Sequence, residues 1–99
     1  MSKQGFVYIL SNTRRTVLYI GVTSDLEKRM YQHKNKLIDG FSKKYNCIDL
    51  LWFEQSSSIE SAIAAEKKLK GWARRKKDVL VAEKNPTLTD LSRELFDWC

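Results

Sequence analysis

Apolar residues concentrate in three short runs that have the composition of β-strands. Residues 5–11 and 16–22 are rich in valine, isoleucine, leucine and tyrosine, and a polar link, residues 12–15, joins them. Such side chains favour extended backbone, and two runs joined in this way are typical of an antiparallel β-hairpin. Residues 47–54 form the third run and predict a third strand.

A helix is predicted directly after the hairpin. Ser24 and Glu27 have the spacing of a capping box, in which two side chains satisfy free backbone amides at a helix start. The helix is expected to run to about Leu37, and residues 41–46 are predicted to form a loop.

A second helical region follows the third strand. Ser57 and Glu60 repeat the capping-box spacing, and the helix is expected to extend through Lys70, bend, and continue to about Lys84. A short terminal helix is predicted over residues 88–96.

This order of elements, β, β, α, β, α, α, predicts an α+β fold with a small three-stranded antiparallel sheet flanked by helices. A chain of 99 residues has room for one core, so residues 1–99 are expected to form a single domain. Leu91, Leu95 and Trp98 recur at helical spacing and are expected either to cap that core or to form a dimer contact; the sequence leaves the oligomeric state open.

The charge balance favours a polyanionic partner. Lysine and arginine number 18 against 12 acidic residues, which gives a net charge of +6. We expect nucleic acid rather than a membrane surface, and no apolar run approaches the roughly 20 residues of a membrane-spanning helix. Cys47 and Cys99 have no metal-ligand spacing and predict free thiols in a reducing cytoplasm.

A carboxylate interrupts the apolar side of the second helix. Glu66 lies three or four residues from members of the inward stripe, which consists of Ile59, Ala62, Ile63 and Leu69. Burial of an unpaired carboxylate is costly, so such a residue is usually paired, neutralised or bound to a metal. The alternatives are that Glu66 reaches solvent at the edge of the stripe or pairs with Lys70.

The first helix has the same anomaly with the opposite charge. Leu26, Met30 and Leu37 form its apolar side, and Arg29 and His33 lie four residues apart beside Met30. A guanidinium can hold two phosphate oxygens at once. His33 is either a structural histidine with satisfied hydrogen bonds or a partner of Arg29 in a site.

Tyr8 and Tyr19 come from the two paired strands. If both point the same way, their hydroxyls flank one place on the sheet; the alternative is aromatic packing between strands. Gly21 is expected to let the backbone turn without a side chain that obstructs this place.

A basic run from residue 67 to residue 77 contains seven lysines and arginines among eleven residues, with one tryptophan. Phosphates and unstacked bases bind such surfaces, although a solvated helix face has the same composition. The predicted nucleic-acid contacts are Lys67, Lys70, Trp72, Arg74, Arg75, Lys76 and Lys77.

Together these residues resemble the GIY-YIG nuclease family. The two halves of the family motif stand here as FVY at 6–8 and YIG at 19–21. The family's arginine falls at Arg29, ten residues after the second tyrosine, its acidic residue at Glu66 and its asparagine at Asn85.

The resemblance is greatest to small single-domain members, which are similar to the N-terminal nuclease module of the bacterial excision-repair excinuclease. It covers about residues 5–86 and leaves 87–99 as a C-terminal helical extension. Phe6 replaces the family's glycine, and Val22 stands where some members have a lysine. His33 matches a histidine that other members carry one helical turn after the arginine.

The resemblance implies a metal-dependent endonuclease that hydrolyses DNA phosphodiester bonds, with a role in DNA repair or recombination. It implies that Glu66 ligates one divalent cation, magnesium or manganese, and that Arg29 holds the phosphate. Tyr8 or Tyr19 would take the proton of the attacking water, His33 would relay it, and Asn85 would orient the substrate or a tyrosine.

Two other functions are compatible with the residues. One is a non-catalytic nucleic-acid-binding module of the same fold, and the other is a protein-interaction domain that presents an exposed Trp72. A nuclease this small has few side chains for reading bases, so structure-selective or weakly sequence-selective cutting is expected. The residues do not distinguish DNA from RNA, and a protein partner that supplies specificity is compatible with them.

Overall fold

A three-stranded antiparallel sheet organises the chain in a computed structural model that describes residues 4–99. Its strands are β1 (Gly5–Ser11), β2 (Leu18–Thr23) and β3 (Asp49–Ser56), in the order β2-β1-β3. The predicted α+β fold, with one small antiparallel sheet and flanking helices, is confirmed. The third strand begins two residues later than predicted.

Helices cover both faces of this sheet. Within the described part of the chain they are α1 (Leu26–Lys34), α2 (Phe41–Lys44), α3 (Ile59–Lys70), α4 (Arg74–Lys84) and α5 (Ser92–Leu95). None of the helices described for residues 4–99 is long and apolar enough to cross a membrane.

Three helical segments differ from the prediction. The predicted loop at 41–46 is wrong, because α2 lies there. Helix α1 ends at Lys34, before the expected Leu37, since Lys36 adopts a positive φ of 55° that ends the helical backbone. The terminal helix occupies only the four residues of α5.

Both helix caps lie one residue beyond the predicted serine. Asp25 caps α1 by accepting a hydrogen bond from the Lys28 amide at 3.1 Å, and Ser58 caps α3 through the Ser61 amide at 3.2 Å. Each cap has extended backbone immediately before the first helical residue. The predicted serine and the residue after it both have side chains that can accept a hydrogen bond from a helix amide. The residue that caps the helix is the one with extended backbone directly before the first helical residue.

The sheet separates two apolar clusters. One contains Val7, Ile9, Ile20, Leu51, Trp52, Leu69 and Val81, and so includes residues of α3 and α4. The other contains Tyr8, Leu10, Leu26, Met30, Cys47 and Leu50, and so includes residues of α1. An irregularity in β3 pairs Ile9 with Trp52 but Leu10 with Leu50, so Leu51 is an extra residue and joins the α3 side together with Trp52.

The inward stripe of α3 is shifted from its predicted position. Ala62 and Leu69 are buried, as predicted, but Ile63 is 37% exposed and its predicted inward position is wrong. The buried line of the helix runs through residues 62 and 69, with Glu66 between them on the same side. The carboxylate therefore belongs to the stripe.

The last residues cap the core on the α1 face. Leu91 and Phe96 pack against the cluster that contains Tyr8, and the Leu91 amide donates to the Leu50 carbonyl at 2.8 Å. Trp98 donates its indole N–H to Glu27 at 3.0 Å. Of the three residues predicted to cap the core or form a dimer contact, Leu91 packs on the core, whereas Leu95 and Trp98 are 45% and 40% exposed.

Asp90 anchors this C-terminal segment. Its Oδ1 accepts hydrogen bonds from the Leu50 amide at 2.9 Å and the Ser92 hydroxyl at 2.6 Å, while Oδ2 pairs with Lys34. Burial raises the pKa of Asp90, but the hydrogen bonds from Lys34, Ser92 and Leu50 outweigh it and hold the pKa below its usual value. Lys34 also faces Asp49 at 3.8 Å.

Candidate active site

Tyr8 lies in the central strand directly opposite Gly21. A Cβ atom on Gly21 would lie 2.8 Å from the Cε2 atom of Tyr8 and closer still to its Cζ and hydroxyl oxygen. Gly21 is therefore the residue that makes room for the tyrosine ring. Its predicted role in a backbone turn is wrong, since it lies inside β2 rather than at a turn.

A buried chain of hydrogen bonds runs from Tyr8 through two helices. The Tyr8 hydroxyl lies 2.9 Å from Nε2 of His33, and Nδ1 of His33 lies 3.1 Å from the Ser42 hydroxyl. His33 comes from α1 and Ser42 from α2. Both ring nitrogens of His33 have partners, as predicted for a structural histidine.

His33 is neutral at physiological pH. Burial is the main cause and the charge of Arg29 the second, and together they lower the pKa of His33 to about 4. The imidazole is only 3% exposed. A neutral imidazole has one nitrogen that donates and one that accepts, so it connects the two hydroxyls in either of two tautomers.

Tyr19 completes an aromatic group around His33. Its ring centre lies 6.4 Å from that of Tyr8 and 5.6 Å from that of His33. The two tyrosines share one face of the sheet and their rings pack together, as one of the two predicted alternatives described. Tyr8 is fully buried, whereas Tyr19 is half-buried.

Arg29 and Glu66 act on Tyr8 from different helices. Burial raises the pKa of Tyr8 most, a charged Tyr19 or Glu66 raises it further, and the charge of Arg29 lowers it. Tyr8 keeps its proton as a result. An arginine of α1 and a glutamate of α3 thus both influence the same buried tyrosine.

Glu66 pairs with Lys70 at 3.2 Å, which confirms one predicted alternative. Its side chain is 16% exposed, whereas that of Lys70 is 55% exposed. An ion pair with so exposed a lysine is weak, because solvent screens it. The carboxylate is therefore available to another cation at low cost.

A polar cleft of about 550 Å³ has Arg29 in its wall, although Tyr8, Tyr19 and Glu66 are not among its described lining residues. It lies between the end of β2 and the start of α1, and its other lining residues are Gln4, Thr23, Ser24, Asp25, Lys28 and Gln32. An open cleft with an arginine in its wall suits an anionic ligand.

Residues 4–99 contain no cluster of three or more histidine, cysteine, aspartate or glutamate side chains with metal-site geometry. Glu66 therefore fits a metal ion only as a single carboxylate ligand. Magnesium is often held in this way, by one or two carboxylates together with water and substrate phosphate oxygens.

Asn85 occupies a different place. It is the C-cap of α4, and its side-chain amide donates to the carbonyls of Leu51 at 3.0 Å and Thr89 at 2.8 Å. Its Oδ1 accepts from the Thr89 amide at 3.2 Å. Its hydrogen bonds hold the end of α4 against the sheet and the following turn, and among residues 4–99 none of them joins Asn85 to Tyr8 or Tyr19.

The basic run spans the end of α3 and the start of α4, with Lys67 and Lys70 in the first and Arg74 to Lys77 in the second. Trp72 packs against the core and is half-buried below Lys76, whose ammonium lies 4.2 Å from the ring centre. The expected exposure of Trp72 is therefore wrong. Arg74 donates to the carbonyls of Thr16 at 3.0 Å and Arg15 at 2.7 Å, so it supports the fold.

Three residues of this site were absent from the sequence prediction, and all lie in or next to α2. Ser42 holds His33, and Phe41 stacks on Tyr19 with ring centres 6.2 Å apart. Tyr45 packs on Phe41 at 4.6 Å. The sequence FSKKY does carry a signal, because its two aromatic residues are four apart and so share one helix face.

Comparisons with known proteins identify the family of this chain. The GIY-YIG catalytic domain matches residues 4–78, a range that includes every proposed catalytic residue except Asn85. A UPF0213 protein of Natronomonas pharaonis is 30% identical over 84% of this chain and 96% of its own length, and one of Bacillus pumilus is 26% identical over 84% and 85%.

A solved structure of another UPF0213 protein is also similar to this chain. The solution NMR structure of a UPF0213 protein from Bacillus halodurans is similar with a TM-score of 0.57 and 26% identity, and the match covers 91% of this chain and 95% of that one. These relatives are small single-domain GIY-YIG proteins. This chain belongs to the GIY-YIG family, whose members are generally nucleases.

Proposed function

We propose that this protein is a metal-dependent endonuclease that hydrolyses DNA phosphodiester bonds. The observation that carries the proposal is the group of Tyr8, Tyr19 and His33, with a cation of α1, Arg29, and a carboxylate of α3, Glu66, near enough to affect the pKa of Tyr8. A cation, a carboxylate and proton-carrying side chains are the groups that phosphodiester hydrolysis needs.

Arg29 binds the phosphate in this proposal. Its guanidinium lines the open cleft and matches two phosphate oxygens, so it stabilises the charge that develops during attack. Glu66 would hold one magnesium or manganese ion, which supplies charge neutralisation and a more acidic bound water. Lys70, which is largely exposed, can move away from the carboxylate.

Tyr19 is our candidate for the group that accepts the proton of the attacking water. It reaches the surface, whereas Tyr8 is fully buried and keeps its proton. A phenol is a poor base at neutral pH unless a nearby cation favours its ionised form. Tyr8, held by neutral His33, positions Tyr19 and offers a route for the proton.

The basic surface at the start of α4 supports binding of nucleic acid. The first four residues of this helix are cations, its first turn has no acidic residue, and its N-cap makes no side-chain hydrogen bond. Positive charge at a helix N-terminus is unfavourable in the free protein, and a phosphate would relieve it. We assign binding of the DNA backbone to two residues of α3 and three of α4, namely Lys67, Lys70, Arg75, Lys76 and Lys77.

Weak sequence selectivity follows from size. The longest dimension of the molecule is 39 Å, about the length of one turn of duplex DNA. Few side chains remain for base edges once the phosphates are bound. DNA structure or a protein partner would then select the cleavage site. We propose that the protein acts in DNA repair or recombination in the cytoplasm.

A second candidate is a non-catalytic module of the same fold that binds nucleic acid. It is favoured by the satisfied state of several polar groups, since Glu66 pairs with Lys70 and both ring nitrogens of His33 have partners. This module would bind DNA with a steep salt dependence and release no product.

Cleavage assays separate the two candidates. Supercoiled plasmid, flapped DNA and branched DNA are incubated with magnesium, with manganese or with EDTA. The parent protein should cut only with metal, Glu66→Gln should cut at a background rate, and Arg29→Ala should lose about 100-fold or more in rate. Glu60→Gln, an exposed change on the same helix, is the matched control and should cut like the parent.

Binding and stability measurements accompany the assay. Glu66→Gln should keep the melting temperature and most of the DNA affinity of the parent. Equal cutting by Glu66→Gln and the parent would refute the assigned metal ligand. Binding without cutting on every substrate would favour the non-catalytic module.

A further inference from the structure

Helix α2 presents an aromatic surface that adjoins the candidate active site. Phe41 and Tyr45 form this aromatic surface, and they are 47% and 42% exposed. Phe41 stacks on Tyr19 with an angle of 21° between the ring planes, and Tyr45 packs against Phe41. A row of rings therefore leads from the half-buried Tyr19 out to solvent.

Contacts with the site fix the position of this surface. Ser42 is 4% exposed, and its hydroxyl lies 3.1 Å from Nδ1 of His33. Gly40, which precedes the helix, has a φ of 121°, a backbone conformation that favours glycine. Helix α2, which carries Phe41, is thus attached through Ser42 to the same histidine that contacts Tyr8.

Tyr31 and Trp98 are a second pair of exposed aromatic neighbours among the described residues, with ring centres 5.5 Å apart, but only the Phe41 and Tyr45 pair continues into the candidate active site through Tyr19. Burial of one large apolar side chain contributes about 1.5–3 kcal/mol, so a ligand of the site that covered these two rings would gain affinity. The ligand should be anionic, because Lys43 and Lys44 are exposed on the same helix. The Lys44 ammonium lies 5.4 Å from the ring centre of Tyr45.

We infer that Phe41 and Tyr45 stack unpaired nucleobases of the DNA next to the phosphodiester that Arg29 binds. Bases within a duplex are stacked on one another and do not offer a free face, whereas unpaired bases do. Lys43 and Lys44 then contact the adjacent phosphates. The substrate is therefore DNA with a single-stranded segment at the cleavage site, a conclusion that rests on the proposed function.

The first test measures binding without cleavage. Fluorescence anisotropy in EDTA gives the affinity for a single-stranded oligonucleotide and for a duplex of the same sequence. Phe41→Leu and Tyr45→Leu keep apolar bulk but lack a ring, and each should bind the single strand about tenfold more weakly than the parent. Duplex affinity should not change.

Two controls make this result specific. Tyr31→Leu removes a tyrosine that is 49% exposed on α1, outside the aromatic surface, and should leave single-strand binding unchanged. Phe41→Trp keeps a ring and should bind like the parent. Tyr45 lacks a stacking contact with Tyr19, so its variant remains informative if Phe41→Leu lowers the melting temperature.

The second test measures cleavage of flapped DNA and of duplex with metal present. The parent should prefer the flap, and the leucine variants should lose that preference. If the parent cleaves DNA and the leucine variants bind and cut both forms as the parent does, base stacking on the aromatic surface is refuted, whereas the nuclease activity is not. Selective loss of single-strand binding, with no cleavage of any DNA, would overturn the nuclease but support the aromatic surface.

Discussion

The hydroxyl end of Tyr8 fills the space that a side chain at position 21 would need. The ring is fully buried between the sheet and α1, so it cannot move aside without disturbing the core. The lack of a side chain at Gly21 therefore allows the Tyr8 ring to occupy its buried position in the candidate site.

Gly21→Ala should destabilise the protein by about 1–3 kcal/mol, because the new methyl group would overpack the site against Tyr8. Gly71→Ala is the matched control. A Cβ there would meet its nearest neighbour, the Lys68 carbonyl oxygen, at an ordinary 3.5 Å, and its φ of −81° suits alanine. Urea unfolding measures both changes, and equal unfolding midpoints for the two variants would contradict the packing argument.

The buried His33 should make stability depend on pH. Its pKa is lowered from 6.5 to about 4, so between these values the unfolded chain binds a proton that the folded protein does not. Stability from this residue is complete above pH 6.5 and falls as the pH decreases toward 4, with a slope of up to about 1.4 kcal/mol per pH unit.

His33→Gln should flatten this pH dependence. The chain contains one histidine, so the difference in slope between parent and variant belongs to His33. Urea unfolding at a series of pH values measures the slopes, and the comparison does not require equal stability at neutral pH. Identical slopes in the two proteins would mean that folding does not change the pKa of His33.

Tyr8 and Tyr19 were predictable because side chains alternate along a strand, so two strand tyrosines can be assigned to a shared face. The role of Gly21 was not predictable, since it depends on the register that puts Gly21 opposite Tyr8. The exposure of Trp72 was mispredicted because basic neighbours in the sequence do not show that its ring packs on the core.

At the scale of elements, the strands and helices α3 and α4 could be predicted because each has enough residues to show a pattern. Helix α2 has four residues, too few for a periodic pattern. It forms because tertiary contacts hold it, namely Phe41 on Tyr19 and Ser42 on His33. That helix carries the part of the site that the sequence did not predict.

Asp90→Ala tests how the C-terminal segment is attached. Loss of the carboxylate removes the acceptor of the Leu50 amide and the nearer of the two carboxylates beside Lys34, and we expect a loss of about 3 kcal/mol in the free energy of unfolding. Asp39→Ala removes an ion pair with Lys43 in which the aspartate is 94% exposed, and should cost less than about 0.5 kcal/mol. Similar urea midpoints for both variants would show that Asp90 does not anchor the segment.

At the scale of the whole molecule, the charge of +6 should appear as salt-dependent binding of DNA. Arg75→Ala should reduce the slope of log K against log salt by about 0.9 for duplex DNA, because Arg75 is exposed at the start of α4. Arg74→Ala should chiefly lower the melting temperature, since its guanidinium donates to the Thr16 and Arg15 carbonyls. An unchanged slope in Arg75→Ala would remove this residue from the DNA interface.

The C-terminal segment also determines when the chain can finish folding during its synthesis. The ribosome delivers residues in order, so the hairpin and α1 emerge long before Asp90, Leu91 and Phe96. Until those residues arrive, the Leu50 amide lacks its carboxylate and the cluster around Tyr8 is open on one side. A nascent chain stalled before residue 90 should therefore remain sensitive to protease and accessible to chaperones.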